Sequence, residues 1–373
     1  MPIPSPGPPR EVADRCPGAL TRHEAADGWL ARIRLPGGML SAVGLAGLAD
    51  LAERYGDGRL ELTSRGNVQL RALPTESDFA DRLADLGLLP SATHERVRNI
   101  VASPLATGLA DLVRELDRQL CDRPELAALP GRFLFGLDDG RGEILALRPD
   151  VPAIVGEDAE ILGLRVTRSG VVATMLAAAQ AFLDERAAQA SKAWRLAELA
   201  DGPARVANRV AHGLDLQTAA PRPVPAAPAE PAGPIRQPDG RYAAVLLAPL
   251  GRLTAARARL IAGHAGETGV RVTPWRSVVI PDLTDPGPLL AAAAAAGLGT
   301  GRDSRWYGVS ACTGRPGCAK ALADVQLDAA ENPRSGGIPV HWSGCERRCG
   351  RPASHHLDVL ATTDGYLITE QLA

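Results

Sequence analysis

At 373 residues, with 45% of them apolar, the chain is long and apolar enough for two or three separately cored domains. A formal net charge of −2 leaves nothing to draw the molecule as a whole to phosphate backbone or anionic lipid, so neither nucleic acid nor membrane is expected as a partner. The longest small-residue apolar run, residues 289–298, falls far short of a bilayer span and reads as a packed helix.

The opening ten residues, MPIPSPGPPR, carry five prolines and no apolar segment of signal-peptide length, so 1–14 reads as a disordered lead-in and the expected location is cytoplasmic. Residues 28–35 alternate like a strand, PGG turns the chain, and a helix over 41–55 follows, with Ser41 as N-cap, Gly56 as stop and Leu45, Leu48, Leu51 and Ala52 as its buried stripe. From residue 60 to 71 the pattern has period two, as for one strand: Leu60, Leu62, Val68 and Leu70 on one face, Thr63, Arg65, Asn67, Gln69 and Arg71 on the other. That second face is either an ordinary solvated sheet face or a row of donors for an extended polyanion. A helix near 77–88 follows, then an apolar strand just after Arg98, a helix over 107–120, a short strand bearing Arg132 that ends in a turn at Asp138, Asp139 and Gly140, and helices over 172–188 and parts of 191–212.

Six prolines among alanines between 218 and 236 cannot build a core and read as an extended linker. Beyond it strand, helix and strand recur. Thr63 and Thr273 lie 210 residues apart, while Ala102 and Ala311, and Pro130 and Pro339, each lie 209 apart. Three landmarks whose offsets agree to within one residue indicate an internal duplication, with cysteines in the second copy and arginines in the first.

Cys312 and Cys318 form a C-x5-C pair and Cys345 and Cys349 a C-x3-C pair. Thiolates are soft ligands, and four of them complete a zinc or an iron–sulfur site. These spacings are wider in the first pair than structural zinc uses and suit a bulkier cluster, with zinc and two disulfides as the alternatives. Nearby Gly314, Pro316, Gly317, Gly344 and Gly350 let backbone N–H groups approach sulfur. Cys16 and Cys121 have no partner that spacing identifies.

The duplicated layout, these cysteines and TSRGNVQ resemble the nitrite and sulfite reductase superfamily. CPGAL at Cys16, GDGRLELTSRGNVQLR, RNIVASPLA, SACTGRPGCAKALADV and HWSGCERRCGRP resemble, within it, the precorrin-3B synthase family of aerobic cobalamin biosynthesis. The resemblance implies an α+β fold of duplicated nitrite/sulfite reductase architecture, in which two ferredoxin-like half-domains and two larger α+β domains are related by a pseudo-two-fold. The corresponding boundaries are 15–90 and 91–217, the linker at 218–236, then 237–300 and 301–373. It also implies a 4Fe-4S cluster on Cys312, Cys318, Cys345 and Cys349, with Arg65 on the reductases' T-x-R arginine, Arg98 on their R-N arginine, and Arg65, Asn67, Gln69, Arg71, Arg98 and Arg132 lining a tetrapyrrole pocket. Catalytic roles are implied for Arg65, Arg98 and Arg132.

The chain departs from the reductases at one element. Their K-F-K lysines protonate a bound oxyanion, but here the residues are Arg132, Phe133 and Leu134, and neither end can supply a proton near neutral pH. The implied task is therefore a monooxygenase one, in which precorrin-3A, O2 and NADH-derived electrons give precorrin-3B. A sirohaem-dependent assimilatory nitrite or sulfite reductase is the alternative, and a non-enzymatic tetrapyrrole or cluster carrier a further one. No G-x-G-x-x-G opens a helix after a strand, so a separate electron-donor protein is implied. Sirohaem, or a mononuclear non-haem iron to which His341, His355 and His356 would contribute, is left open, as is cluster or carboxylate binding by Arg347, Arg348 and Arg351.

Overall fold

The computed structural model describes residues 14, 16–219, 228, 230–332, 337–352 and 354–372. The expected lead-in, apart from residue 14, and residues 220–227 and 229 of the expected linker lie outside these. The chain divides into two compact units, one composed mainly of Leu89–Ala229 with the strip Arg34–Gly38, the other of Thr21–Ile33, Met39–Leu88 and Glu230–Ala373. The second carries all four paired cysteines.

The cysteine-bearing unit begins with strands β1 (His23–Ala25) and β2 (Gly28–Ile33), followed after a short turn by β3 (Met39–Leu40) and helix α1 (Ala42–Tyr55). Ser41 caps α1 as its sequence position implies, its side chain accepting from the Gly44 N–H at 2.9 Å, and Leu45, Leu48, Leu51 and Ala52 are all buried. The single strand expected over 60–71 is instead a hairpin, β4 (Arg59–Leu62) and β5 (Val68–Leu73), followed by α2 (Phe79–Asp85). The chain reverses because the Thr63 N–H donates to the Asn67 carbonyl at 2.9 Å while Gly66 takes φ 65°, a turn that left the period-two pattern intact on both sides.

The central unit builds one sheet of order β10-β9-β8-β7-β6 from β6 (Ile100–Ala102), β7 (Phe135–Asp138), β8 (Val151–Val155), β9 (Asp158–Ile161) and β10 (Leu164–Thr167). The first three strands are parallel, and α3 (Ala110–Cys121) lies in the crossover between β6 and β7. Helix α4 (Val171–Ala188) packs on the sheet, α5 (Gly202–Leu214) packs on α4, and Phe133, Phe135 and Phe182 stack in the core with centroids 5.3 and 4.8 Å apart. Arg132 precedes β7 rather than lying on a strand.

The expected linker ends early, because Gly233–Arg236 forms β11 and pairs with β12 (Tyr242–Leu247). There follow β13 (Arg252–Thr254), α6 (Ala255–His264), β14 (Val270–Val272), β15 (Ser277–Leu283) and α7 (Gly287–Ala295), the order seen from β2 to α2. The two copies exchange an edge. β13 pairs with β4 to give β1-β2-β5-β4-β13, and β3 pairs with β14 to give β11-β12-β15-β14-β3, while α1 packs against α6.

The last sheet, β16-β17-β18-β19, comprises β16 (Val309–Ala311), β17 (Val340–Ser343), β18 (His356–Thr362) and β19 (Gly365–Gln371), with α8 (Val325–Glu331) between the first two. Its parallel β16-β17-β18 and antiparallel fourth strand repeat the pattern of β6 to β9. One face, with Val309, Ala311, Val340, Trp342 and Val359, is packed with Val325 and Ala329 of α8. On the other face Ser310, His341 and Asp358 stand in register. Of the offset landmarks, Ala102 and Ala311 close β6 and β16, whereas Pro339 stands directly before β17 and Pro130 well before β7, so the strand registers set Leu134 rather than Pro130 on Pro339.

Candidate functional site

β16 and β17 are adjacent and parallel, with Ala311 opposite Trp342, so the residues leaving their carboxyl ends emerge side by side. Those residues are Cys312 and, past Gly344, Cys345. The Cys312 N–H donates to the Trp342 carbonyl at 2.9 Å, and the Leu322 N–H to the Gly344 carbonyl at 2.8 Å, which ties the first loop to the second. Electrostatic contacts link the two pairs: Cys312 responds to Cys345 and Cys349, and Cys349 to Cys345 and Cys318. The sequence pairs are thus brought together.

The cradle fits thiolates. The Gly344 N–H points at the Cys312 sulfur at 3.1 Å, and a second backbone N–H, that of Gly314, also favours its thiolate. Gly314 has φ 69° and a Cβ there would lie 2.8 Å from Val325, while one on Gly344 would lie 2.8 Å from Ala321, so both loops need glycine to close. Burial pushes the Cys312 and Cys349 thiols up, so a metal must displace their protons as it binds. Among the described residues no three His, Cys, Asp or Glu converge tightly enough for a single metal ion. Four thiols spread around a multi-iron cluster need no such convergence.

The histidines do not form a set. His341 is fully buried, its Nδ1 is 2.9 Å from the Ser310 hydroxyl, and burial beside Arg276 pushes its pKa down to about 3, so the ring is neutral. His356 turns Nδ1 to the Ser354 carbonyl at 2.7 Å, and His355 faces Glu370 at 2.7 Å on the neighbouring strand. Arg348 is held by Asp358 at 2.6 Å and by Glu346.

The polar face on β5 is real, but much of it is committed internally. Arg252, Glu61, Gln69 and Arg32 are directly opposed across β13, β4, β5 and β2. Arg252 donates to Glu61 at 2.6 Å, Gln69 to Glu61 at 2.7 Å and Arg32 to Gln69 at 3.0 Å, giving one transverse ladder. Arg71 makes a bidentate pair with Asp27, at 2.9 and 2.8 Å, and donates to the Gly317 carbonyl at 2.6 Å. Arg65 is partly exposed in the β4–β5 turn, and Asn67 is buried at its end, where its N–H donates to Thr63 Oγ1 at 3.1 Å.

In the central unit, Arg98 is buried and bidentate to Asp117 of α3 at 2.7 and 2.6 Å. Arg132 is exposed, its guanidinium 5.9 Å from the Trp194 ring centroid, and the two residues after it, Phe133 and Leu134, are buried. Sequence reasoning missed the acids Asp27, Glu61 and Asp117 that occupy these arginines. It also missed Arg276, although the duplication offset sets Arg276 on Gly66 and so marks a bulky residue where the first copy needs glycine.

Residues 23–77 and 234–286 match the family model of the nitrite/sulfite reductase ferredoxin-like half domain. The chain is 29% identical to a ferredoxin–nitrite reductase of Synechococcus elongatus over 90% of its own length and 76% of the relative's. It is 26% identical to a precorrin-3B synthase of Sinorhizobium sp over 94% and 81%, and 26% identical to a ferredoxin-dependent sulfite reductase of Mycobacterium tuberculosis over 87% and 68%. Among solved structures, that of the Mycobacterium tuberculosis NirA protein shares the fold at a TM-score of 0.72 and 22% identity, covering 92% of this chain and 73% of that one. No helix among the described residues is long and apolar enough to cross a membrane.

Proposed function

We propose that this chain, which belongs to the nitrite and sulfite reductase superfamily, acts as a precorrin-3B synthase, an iron–sulfur oxidoreductase that uses O2 and two electrons to convert precorrin-3A into precorrin-3B. One oxygen atom enters the substrate and the other takes up two protons and leaves as water, with the two electrons drawn from NADH through a separate donor protein. Cys312, Cys318, Cys345 and Cys349 would hold the 4Fe-4S cluster, whose contribution when bound is to pass single electrons. Of the residues assigned to a carboxylate-rich tetrapyrrole, Gln69, Arg71 and Arg98 are engaged within the protein by Glu61, Asp27 and Asp117.

The observation that carries the reading is the Arg132-Phe133-Leu134 element. Leu134 is 2% exposed, and its backbone N–H is fixed at 2.8 Å to Asp150, so the second proton-donor position of the reductases is apolar and sealed. A guanidinium, unlike the ammonium of a lysine, binds anions as a planar fork and is a poor general acid. Reduction of nitrite or sulfite consumes protons at the oxyanion; oxygen insertion into a bound tetrapyrrole does not need them there. The second reading, a sirohaem-dependent nitrite or sulfite reductase, rests on the similarity to the Synechococcus nitrite reductase.

The deciding experiment supplies anaerobically purified protein with a reduced dye and, in parallel, nitrite, sulfite, or precorrin-3A with O2. Oxygen-dependent loss of precorrin-3A with a product heavier by one oxygen is expected. Dye oxidation by nitrite or sulfite, together with sirohaem bands in the visible spectrum, would replace this reading by the second.

A further inference from the structure

The turn that contains Arg276 repeats the turn that contains Gly66 bond for bond. Thr63 Oγ1 accepts from the Arg65 and Asn67 N–H groups at 3.4 and 3.1 Å, and Thr273 Oγ1 from those of Trp275 and Ser277 at 3.2 Å each. The N–H of the third turn residue returns to the threonine carbonyl at 3.1 Å in both. That residue is Gly66 at φ 65° in the first copy and Arg276 at φ 63° in the second. A long side chain is disfavoured in this left-handed conformation, so its presence asks for a compensating contact.

The contact is a slot between two glycines. A Cβ on Gly251 would lie 2.5 Å from Arg276 Cδ, and one on Gly350 would lie 2.6 Å from its guanidinium nitrogen. Through that slot Arg276 donates to the Gly350 carbonyl at 3.2 Å, one residue past Cys349. Arg71 of the first copy does the same for the other cysteine pair, donating to the carbonyl of Gly317, one residue before Cys318. A Cβ on Gly317 would lie 3.2 Å from the Arg71 guanidinium and 2.8 Å from Asp27. Each arginine therefore seats against a glycine bonded in sequence to a cysteine.

We infer that Arg71 and Arg276 are paired positioning residues, one from each half-domain, that hold the C-x5-C and C-x3-C loops by their carbonyls and set the distance between the two cysteine pairs. The inference rests on the cluster reading for its purpose, though the clamp itself is a property of the protein alone. The two clamps differ in charge. Arg71 is neutralised by Asp27, whereas among the described residues no carboxylate lies within ion-pair distance of Arg276. Arg276 thus brings to the Cys345–Cys349 loop a positive charge that Glu230 and Glu61 offset only from beyond ion-pair distance, which favours any added electron there.

The test measures alkylation of each cysteine in metal-free protein by mass spectrometry, with circular dichroism as the check of fold. Arg71→Met is expected to accelerate labelling of Cys318 and Arg276→Met that of Cys345 and Cys349, each leaving the other pair near the wild-type rate. Acceleration at every cysteine alike, or at none, overturns the inference. In cluster-loaded protein each variant should release iron to a chelator roughly ten- to a hundredfold faster, the scale of lost outer-shell support. Arg276→Met should also shift the cluster's midpoint potential downward, and Arg276→Lys restore it. Should an arginine variant fail to fold, Gly350→Ala displaces the guanidinium without deleting it and must reproduce the faster labelling of Cys345. A wild-type protein that takes up no iron and sulfide would remove the cluster reading and leave the labelling test to judge the clamp.

Discussion

A cysteine's role is settled by what surrounds its sulfur, and the paired cysteines differ in this from Cys121. Cys121 ends α3 half-buried near Asp117, and burial pushes its thiol up to about 11, which makes it inert. Cys345 instead follows β17 near the Cys312 and Cys349 thiols, with the Arg348 N–H on its carbonyl at 3.0 Å. Cys345→Ser should leave the fold in place and abolish cluster binding, read as iron and acid-labile sulfide in protein purified without air; full content of both in that variant would remove the ligand assignment. The cysteine pairs stand out in the sequence by residue type and spacing, and those two features carry the ligand proposal. The arginine roles were only half legible, because one-dimensional alternation shows which face Gln69 and Arg71 share but not that Glu61 and Asp27 already occupy them.

Elements were legible where caps and stripes agree. Ser41 and Thr254 both cap helices with side chains that accept from the third residue on, and Asp138, expected in a turn, collects the N–H groups of Gly140, Gly142 and Ile144 at 2.8 to 2.9 Å. The β4–β5 hairpin was missed because the turn preserved the alternation on both sides, so only its glycine marked the reversal. Packing between elements adds ion pairs no local pattern announces. Glu185 of α4 is buried and receives Arg209 and Arg205 of α5 at 2.6 and 2.9 Å, and these bonds hold its pKa down to about 2, from an ordinary 4.5. A carboxylate lowered in the folded state stabilises it above the ordinary value and loses that contribution as pH falls through the lowered one. Glu185→Gln should therefore reduce stability to urea by a constant amount above about pH 5, with the gap to wild type closing as pH approaches about 2. A gap that does not change with pH would show that packing, not charge, joins the two helices.

At the scale of the whole chain, duplication was readable as an offset, but the exchange of strands between copies was not. An offset reports that two segments share a pattern and says nothing of which sheet a short strand joins. β3 and β13 are two and three residues long, too short for a period to show, yet each completes the other copy's sheet. Leu60 pairs with Leu253 and Leu40 with Val270, all four side chains buried, so neither half-domain has a finished edge of its own. A duplicated protein whose copies fold independently would yield two stable fragments; one that trades edges should not. Residues 21–88 expressed alone are expected to show poor amide dispersion by NMR and no cooperative melt, and to recover both when mixed with residues 230–373, because β13 and α6 then supply the missing strand and helix face. A cooperative melt from 21–88 alone would mean that the exchange is incidental to stability. The same exchange ties the sheet that carries Arg71 to the sheet that carries Arg276, so both cysteine loops are gripped from one continuous support rather than from two copies free to drift.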